Sequence, residues 1–394
     1  MSASPFDDVS LERLRRRRTV KWTLYGPDVL AAWVAEMDFD VAPAVKAALL
    51  EAVEREDFGY VEADTAALTT ACADFFAGAY AWDVSPRRIF LVADVLAGIA
   101  GALDAFVESG APVVLPTPAY PPLFDVIELS GRPVAPVAMV DAGDGWVLDP
   151  DAVDAALGAG ARAVLLTNPH NPTGRVFTAD ELRALGAVVD RHGARVVADE
   201  VHGPLTFPGH PFVPYASVGE AAATHAVTVT SASKAWNLAG LKCAQVVATN
   251  HEDAARWRRV PLFAVPGPTP LGIAAAVAAY RDGSDDRGWR ADLVAHLDRN
   301  RRRLAGLVED ELPGVRLHEP EGTFLAWLDG AALSLDDPAR FFLDEARVAL
   351  SDGPAYGGSG GGAAYAQHVR LNFATSAALL DRIVTSMGAA LRRR

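Results

Sequence analysis

The chain has 394 residues, 51% of them hydrophobic and 22% charged, with a formal net charge of −14. An acidic body of this kind repels nucleic acid and anionic membrane surfaces, so neither is expected as the main partner. Length and apolar content exclude a disordered chain and a single simple core, and they predict one large and one smaller domain.

The N-terminal "MSASPFDDVS" lacks the charged and then apolar halves of a signal peptide, and two cysteines, Cys72 and Cys243, cannot form a disulfide framework. Both observations point to the cytoplasm. Asp104 interrupts "VLAGIAGALDAFV", and "GIAAAVAAY" at 272–280 is a short helix candidate, so no stretch reaches the length of a membrane span. The basic runs at 15–18 and 392–394 read as solvated helix surface or terminal tail.

Along the middle of the chain, short β-rich apolar runs alternate with longer helical patterns. The runs are "RIFLVA" (88–93), "PVVLP" (112–116), "AVLLT" (163–167), "RVVAD" (195–199), "AVTVT" (226–230) and "QVVAT" (245–249). Their near-continuous apolar character predicts strands buried on both faces of a largely parallel sheet covered by helices, an α/β architecture. Between the third and fourth runs, "TADELRALGAVVDRHG" spaces Thr178 and Glu181 as a capping box and ends on Gly193, which predicts a crossover helix. Beyond about residue 280, the helical "DLVAHLDRNRRRLAGLVEDEL" and the runs "VRLHEP", "FLAWL" and "VRLNFA" predict a smaller α+β domain. We divide the chain into an N-terminal arm (1–40) joining the small domain, a large domain (41–280) and the small domain (281–394).

Ligands in open parallel sheets collect beyond the carboxyl ends of the strands. The residues following each run are "TPAY", "NPHNPTG", "EVHGPL" and "SASKAWNLAG", which assemble Tyr120, Asn171, Asp199, His202, Ser231, Ser233 and Lys234 in one crevice. An amine, a carboxylate, hydroxyl donors and an aromatic ring suit pyridoxal 5'-phosphate. That cofactor needs a lysine for an imine, an acid beside its ring nitrogen and donors for its phosphate. Asp199 and His202 could instead ligate a metal, but no second histidine pair at ligand spacing accompanies them.

The motifs "NPHNPTG" (168–174), "DEVH" (199–202), "SASK" (231–234) and "RLNFA" (370–374) resemble, in order and spacing, the fold type I class I/II aminotransferase superfamily. "RTVKW" (18–22), "WVAEMDF" (33–39), "FGY" (58–60) and the "DEVH" histidine narrow the resemblance to the MalY/PatB group of cystathionine β-lyases. The resemblance implies that Lys234 holds the cofactor and shuttles the α-proton, Asp199 meets the ring nitrogen, and Asn171 donates to the ring hydroxyl, near which His202 also lies. It implies that Tyr120 stacks on the ring, that Ser231, Ser233 and the backbone at Val95 and Leu96 form the phosphate cup, and that Lys242 stands where classical aminotransferases place a phosphate-binding arginine. Tyr60 would reach the phosphate from a second subunit, which makes the expected assembly a homodimer, and Arg370 would clamp the substrate carboxylate. The expected reaction is α,β-elimination from cystathionine or a related β-thio amino acid, giving thiol, pyruvate and ammonia. Transamination by the same residues is the alternative, and a non-catalytic regulatory protein of the same fold stands behind both.

Three residues depart from the pattern: Asp94 in the phosphate turn, Lys242, and Glu36 in place of an aspartate in a segment expected to line the substrate pocket. Glu200 reads as structural, facing away from Asp199. Trp33 and Trp236 border the pocket or pack in the core. Arg370 lies in the alternating "HVRLNF", where an unpaired arginine would be costly, and that favours a ligand partner. His192, His210, His225 and His251 read as loop or surface residues. The run "GGSGGG" (357–362) reads as a mobile loop near the substrate entrance or a linker.

Overall fold

Strand residues with alternate side chains on opposite faces need two covers if both faces are apolar. In the computed structural model, which describes residues 6–61, 65–143, 145–261, 263–284 and 288–394, each face of the main sheet has its own core. Residues 1–5, part of the N-terminal segment read above, lie outside the described residues. Val113, Leu115, Leu165, Val197 and Val229 pack with Ile99 and Trp257 on one side, while Val114, Val164, Leu166, Val196 and Ala198 pack with Leu182 and Leu185 on the other.

In chain order the elements that position the site are β1 (Leu30–Ala31), α1 (Pro43–Glu54), β2 (Ile89–Val92), α2 (Val95–Phe106), β3 (Val113–Thr117) and β4 (Val134–Ala138). They continue with β5 (Ala163–Thr167), α3 (Ala179–Arg191), β6 (Arg195–Asp199), β7 (Ala226–Thr230), β8 (Ala244–Ala248) and α4 (Pro270–Gly283). The sheet order is β2-β8-β7-β6-β5-β3-β4, with β8 antiparallel to both neighbours and the other pairs parallel. The six apolar runs are all strands. β4 was not foreseen, because "VAPVA" carries a proline and forms a partly exposed edge, where the pattern is weak.

The capping box at α3 is formed: Thr178 Oγ1 accepts from Glu181 N at 3.3 Å, and Glu181 Oε2 accepts from Thr178 N at 2.7 Å. Gly193 follows the helix with φ +58, as a C-terminal stop requires. A four-stranded antiparallel sheet between residues 316 and 372 contains Leu325–Asp329 paired with His368–Asn372, and Leu30 pairs with Val348, tying the arm to this part of the chain.

The glycine run is not an extended linker. Residues 354–365 form successive short helical turns with Tyr356 and Tyr365 buried, and Ala119 N donates to Tyr356 O at 2.8 Å. Gly358 has φ +65, and a Cβ there would lie 2.6 Å from the Phe124 ring, so the glycine serves close packing. Two other expectations also fail. Arg17 is no solvated residue: its guanidinium donates to the carbonyls of Met37, Asp38 and Phe39. His225 is buried, with Nε2 2.7 Å from Tyr215 Oη, because its helix runs directly into the buried strand β7 at Ala226.

Those Arg17 bonds belong to a wider arrangement around residues 33–39, an irregular segment without a sheet partner of its own. Lys21 and Asp38, each 1% exposed, form an ion pair at 2.8 Å, and Trp22 Nε1 donates to Asp38 Oδ1 at 2.9 Å. Removing one member of a buried pair strands the other charge. Lys21→Met is therefore expected to lower the unfolding free energy by about 3 kcal/mol, measured by urea denaturation. A loss below about 1 kcal/mol would show that Asp38 needs no cation.

Candidate active site

The carboxyl ends of β3, β5, β6 and β7 open into a cavity of about 170 Å³. Parallel register sets Thr167 beside Asp199 and Asp199 beside Val229, which brings the strand ends level. Tyr120, Asn171, Asp199, Ser231, Ser233 and Lys234 therefore all line the cavity from the loops that follow. His202, Lys242 and the first helical residues Val95 and Leu96 complete the wall.

Lys234 faces the cavity but is surrounded by protein, and that burial pushes its ammonium down to about 8. Arg370 acts in the same direction, while Asp199 and Glu36 oppose it. Its Nζ donates to the Ala35 carbonyl at 3.1 Å. Burial pushes Asp199 up to about 6, against the pull of the Val201 N–H, 3.2 Å from Oδ1, and of Lys234. Burial, reinforced by Lys234 and Arg370, holds His202 well below the ordinary imidazole range, so its ring is neutral near pH 7. Its Nδ1 has no hydrogen-bond partner among the described residues.

Arg370 stands behind Asn171. Its Nη1 donates to Asn171 Oδ1 at 2.9 Å, and its Nη2 donates to Trp33 O at 2.8 Å and Ser351 Oγ at 3.1 Å. The expectation that burial calls for a ligand partner is thus corrected: protein groups already hold two of its nitrogens, and the Tyr356 ring lies 5.3 Å from its guanidinium carbon. Among the described residues, only its Nε is buried without a partner. Tyr60 is fully exposed, on a separate concavity with Arg55, Asp57 and Pro270, so one chain does not bring it to Lys234.

Asp94 and Lys242 meet each other, with Lys242 Nζ 2.7 Å from Asp94 Oδ2. Glu36 Oε1 accepts from Thr19 Oγ1 at 2.5 Å, and its backbone carbonyl accepts from Lys21 at 2.9 Å. Glu200 lines an aromatic pocket with Tyr80 and Phe212, separate from the cavity of Lys234, accepts from Tyr215 N at 2.7 Å, and is pushed up to about 8 by burial. Trp236 is fully buried core, while Trp33 lends its carbonyl to Arg370. His192 bonds Asp154 at 2.9 Å, and His251 is exposed at a helix start.

Sequence reasoning missed three contributors. Asn237 grips Met37 at both N and O, Ser351 supports Arg370, and the Ala35 carbonyl holds Lys234. A backbone carbonyl carries no side-chain signal. Asn237 could have been suspected from its place three residues after Lys234 in "SASKAWN".

The family model for aminotransferase class I and II matches residues 33–387. A provisionally named cystathionine β-lyase of Mycobacterium tuberculosis is 41% identical over all of both chains. The cystathionine β-lyase PatB of Bacillus subtilis is 30% identical over 95% of this chain and 97% of its own. A crystal structure of a provisionally named PLP-dependent β-cystathionase from Corynebacterium diphtheriae superposes with a TM-score of 0.91 at 38% identity, covering 97% of this chain and 98% of that one.

In the ligand-free protein, modification of Lys234 by an amine-acylating reagent, followed by peptide mass spectrometry, should rise with an apparent pKa of about 8. Asp199→Asn should move that value lower, because the carboxylate favours the ammonium. A profile rising only near the ordinary lysine value of about 10 would contradict the depressed amine.

Proposed function

Because the chain belongs to the class I and II aminotransferase family, we propose that its cavity binds pyridoxal 5'-phosphate and catalyses carbon–sulfur β-elimination from cystathionine or a related β-thio amino acid. The observation that carries the reading is Lys234 with a depressed ammonium in the same cavity as Asp199. The residues fit the cofactor. A primary amine, a carboxylate aimed at the same space and the partnerless His202 Nδ1 match its aldehyde, ring nitrogen and ring hydroxyl in chemical type. The relatives' names favour elimination over transamination.

When bound, the cofactor supplies an electron sink for negative charge at the substrate α-carbon. Lys234 would hold the aldehyde and, as a free amine, would take the α-proton at Nζ, which is readily neutral near pH 8. Asp199 holds the ring nitrogen protonated. His202, being neutral, adds a hydrogen bond beside the ring hydroxyl without a second charge, and Asn171 adds another. Tyr120 would cover the ring, while Ser231, Ser233 and the amides at Val95 and Leu96 would receive the phosphate at the N-terminus of α2. Arg370, already fixed by Asn171, Ser351 and Trp33, receives the substrate carboxylate.

Water and the β-thio amino acid give thiol, pyruvate and ammonia. Transamination would use the same residues, and the lysine at position 242 is the feature that leans toward it. Tyr60 would enter the site of a second copy, making a homodimer, and the large unit 41–280, the small unit 281–394 and the arm 1–40 would be the working parts of each copy. No helix among the described residues is long and apolar enough to cross a membrane, and we place the enzyme in the cytoplasm.

Incubation with cystathionine should release pyruvate and free thiol without a 2-oxo acid acceptor. Product formation only with an acceptor would reject the lyase in favour of the transferase. Lys234→Ala should lower pyruvate release by at least about a thousand-fold while leaving the oligomer intact by sedimentation, and retained elimination would refute the lysine's role.

A further inference from the structure

Asp94 and Lys242, two departures from the family pattern, occupy one place. Asp94 is the N-cap of α2: its Oδ1 accepts from Ala97 N at 2.9 Å, and its Oδ2 accepts from Lys242 Nζ at 2.7 Å. Both residues line the cavity with Lys234. A carboxylate therefore sits on the helix end whose amides would meet the cofactor phosphate, and unpaired it would repel a dianion.

The backbone around Lys242 is fixed. Thr269 donates its N–H to Lys242 O at 3.0 Å and its hydroxyl to Leu241 O at 2.5 Å. The turn also packs so closely on α4 that a Cβ at Gly272 would lie 2.4 Å from Leu241 O. Lys242 itself has φ +55, in the left-handed region that glycine occupies with least strain. Backbone geometry thus disfavours a lysine here, and what the side chain gains is its bond to Asp94.

We propose that Asp94 and Lys242 form a charge-compensated cap at the phosphate end of the site, in which Lys242 aids anion binding by cancelling Asp94 and not by holding the phosphate itself. The inference rests on the reading above that α2 receives the phosphate. It has a consequence that direct binding lacks: loss of the lysine alone exposes a repelling charge, whereas loss of both charges does not. Asn is as good an N-cap as Asp, so Asp94→Asn keeps the helix start.

The test is a four-way cycle of wild type, Lys242→Gln, Asp94→Asn and the double variant. Each is stripped of cofactor and titrated with pyridoxal 5'-phosphate and, separately, with pyridoxal, which has no phosphate. Dissociation constants are read from the absorbance of the bound ring. Lys242→Gln should weaken binding of the phosphate form about ten-fold or more. The double variant should return to within about three-fold of wild type, and pyridoxal affinity should stay within about three-fold throughout. A double variant as weak as Lys242→Gln would mean that the lysine holds phosphate directly, and it overturns the proposal. So does Lys242→Gln binding like wild type, or pyridoxal weakening in parallel. If thermal unfolding shows Lys242→Gln misfolded, Lys242→Gly, which relieves the left-handed backbone, replaces it in the cycle. Wild type that captures neither compound on Lys234, read by borohydride reduction and peptide mapping, rejects the cofactor reading itself.

Discussion

Seven successive carbonyls, from Trp33 to Phe39, accept hydrogen bonds from side chains distant in sequence. Arg370 and Ser351 take Trp33, Asn372 takes Val34, Lys234 takes Ala35, and Lys21 with Asn372 takes Glu36. Asn237 and Arg17 share Met37, and Arg17 continues to Asp38 and Phe39. Buried backbone outside a sheet must find such partners, and here the partners include Lys234, which lines the cavity, and Arg370, which holds Asn171 in its wall. The segment is thus a common anchor: it sets where Lys234 and Arg370 stand relative to each other, although one follows the main sheet and the other lies in the smaller one. Lys21 and Asp38 secure it from the far side.

The cavity is built on incomplete compensation. Lys234 gives its hydrogen bond to a neutral carbonyl, and Asp199 receives one from a backbone amide, so the two charges feel each other without closing into a contact pair. Burial accordingly moves each toward its neutral form. A ligand with its own positive ring nitrogen and an electrophilic carbon would relieve both. His202, held neutral by the same surroundings, does not upset that balance.

Much of this was legible in the residues. Strands buried on both faces leave unbroken apolar runs, and the groups placed after them by the parallel rule do converge on one cavity. The misses share a cause. Arg17, His225 and the glycine run were read by composition, yet their environment is set by contacts far along the chain: Arg17 with residues 37–39, His225 with Tyr215, and Gly358 with Phe124. β4 escaped because an edge strand needs only one apolar face. Arg370 was rightly judged too deep to stand alone, but its partners come from 19, 199 and 337 residues away, beyond any local pattern.

The strand that ends at Asp199 also acts as a partition. Asp199 and Glu200 are neighbours in the chain, but one opens on the reacting space and the other on the pocket of Tyr80 and Phe212. Pairing of Thr167 with Asp199 and of Asp199 with Val229 fixes which acid goes where. A slip of one residue that set Glu200 in the place of Asp199 would turn the Asp199 carboxylate to the other face of the sheet and put a side chain one methylene longer at the cavity. The strand can therefore exchange one apolar residue for another, but insertion or deletion of a single residue within it would take the Asp199 carboxylate off the cavity face.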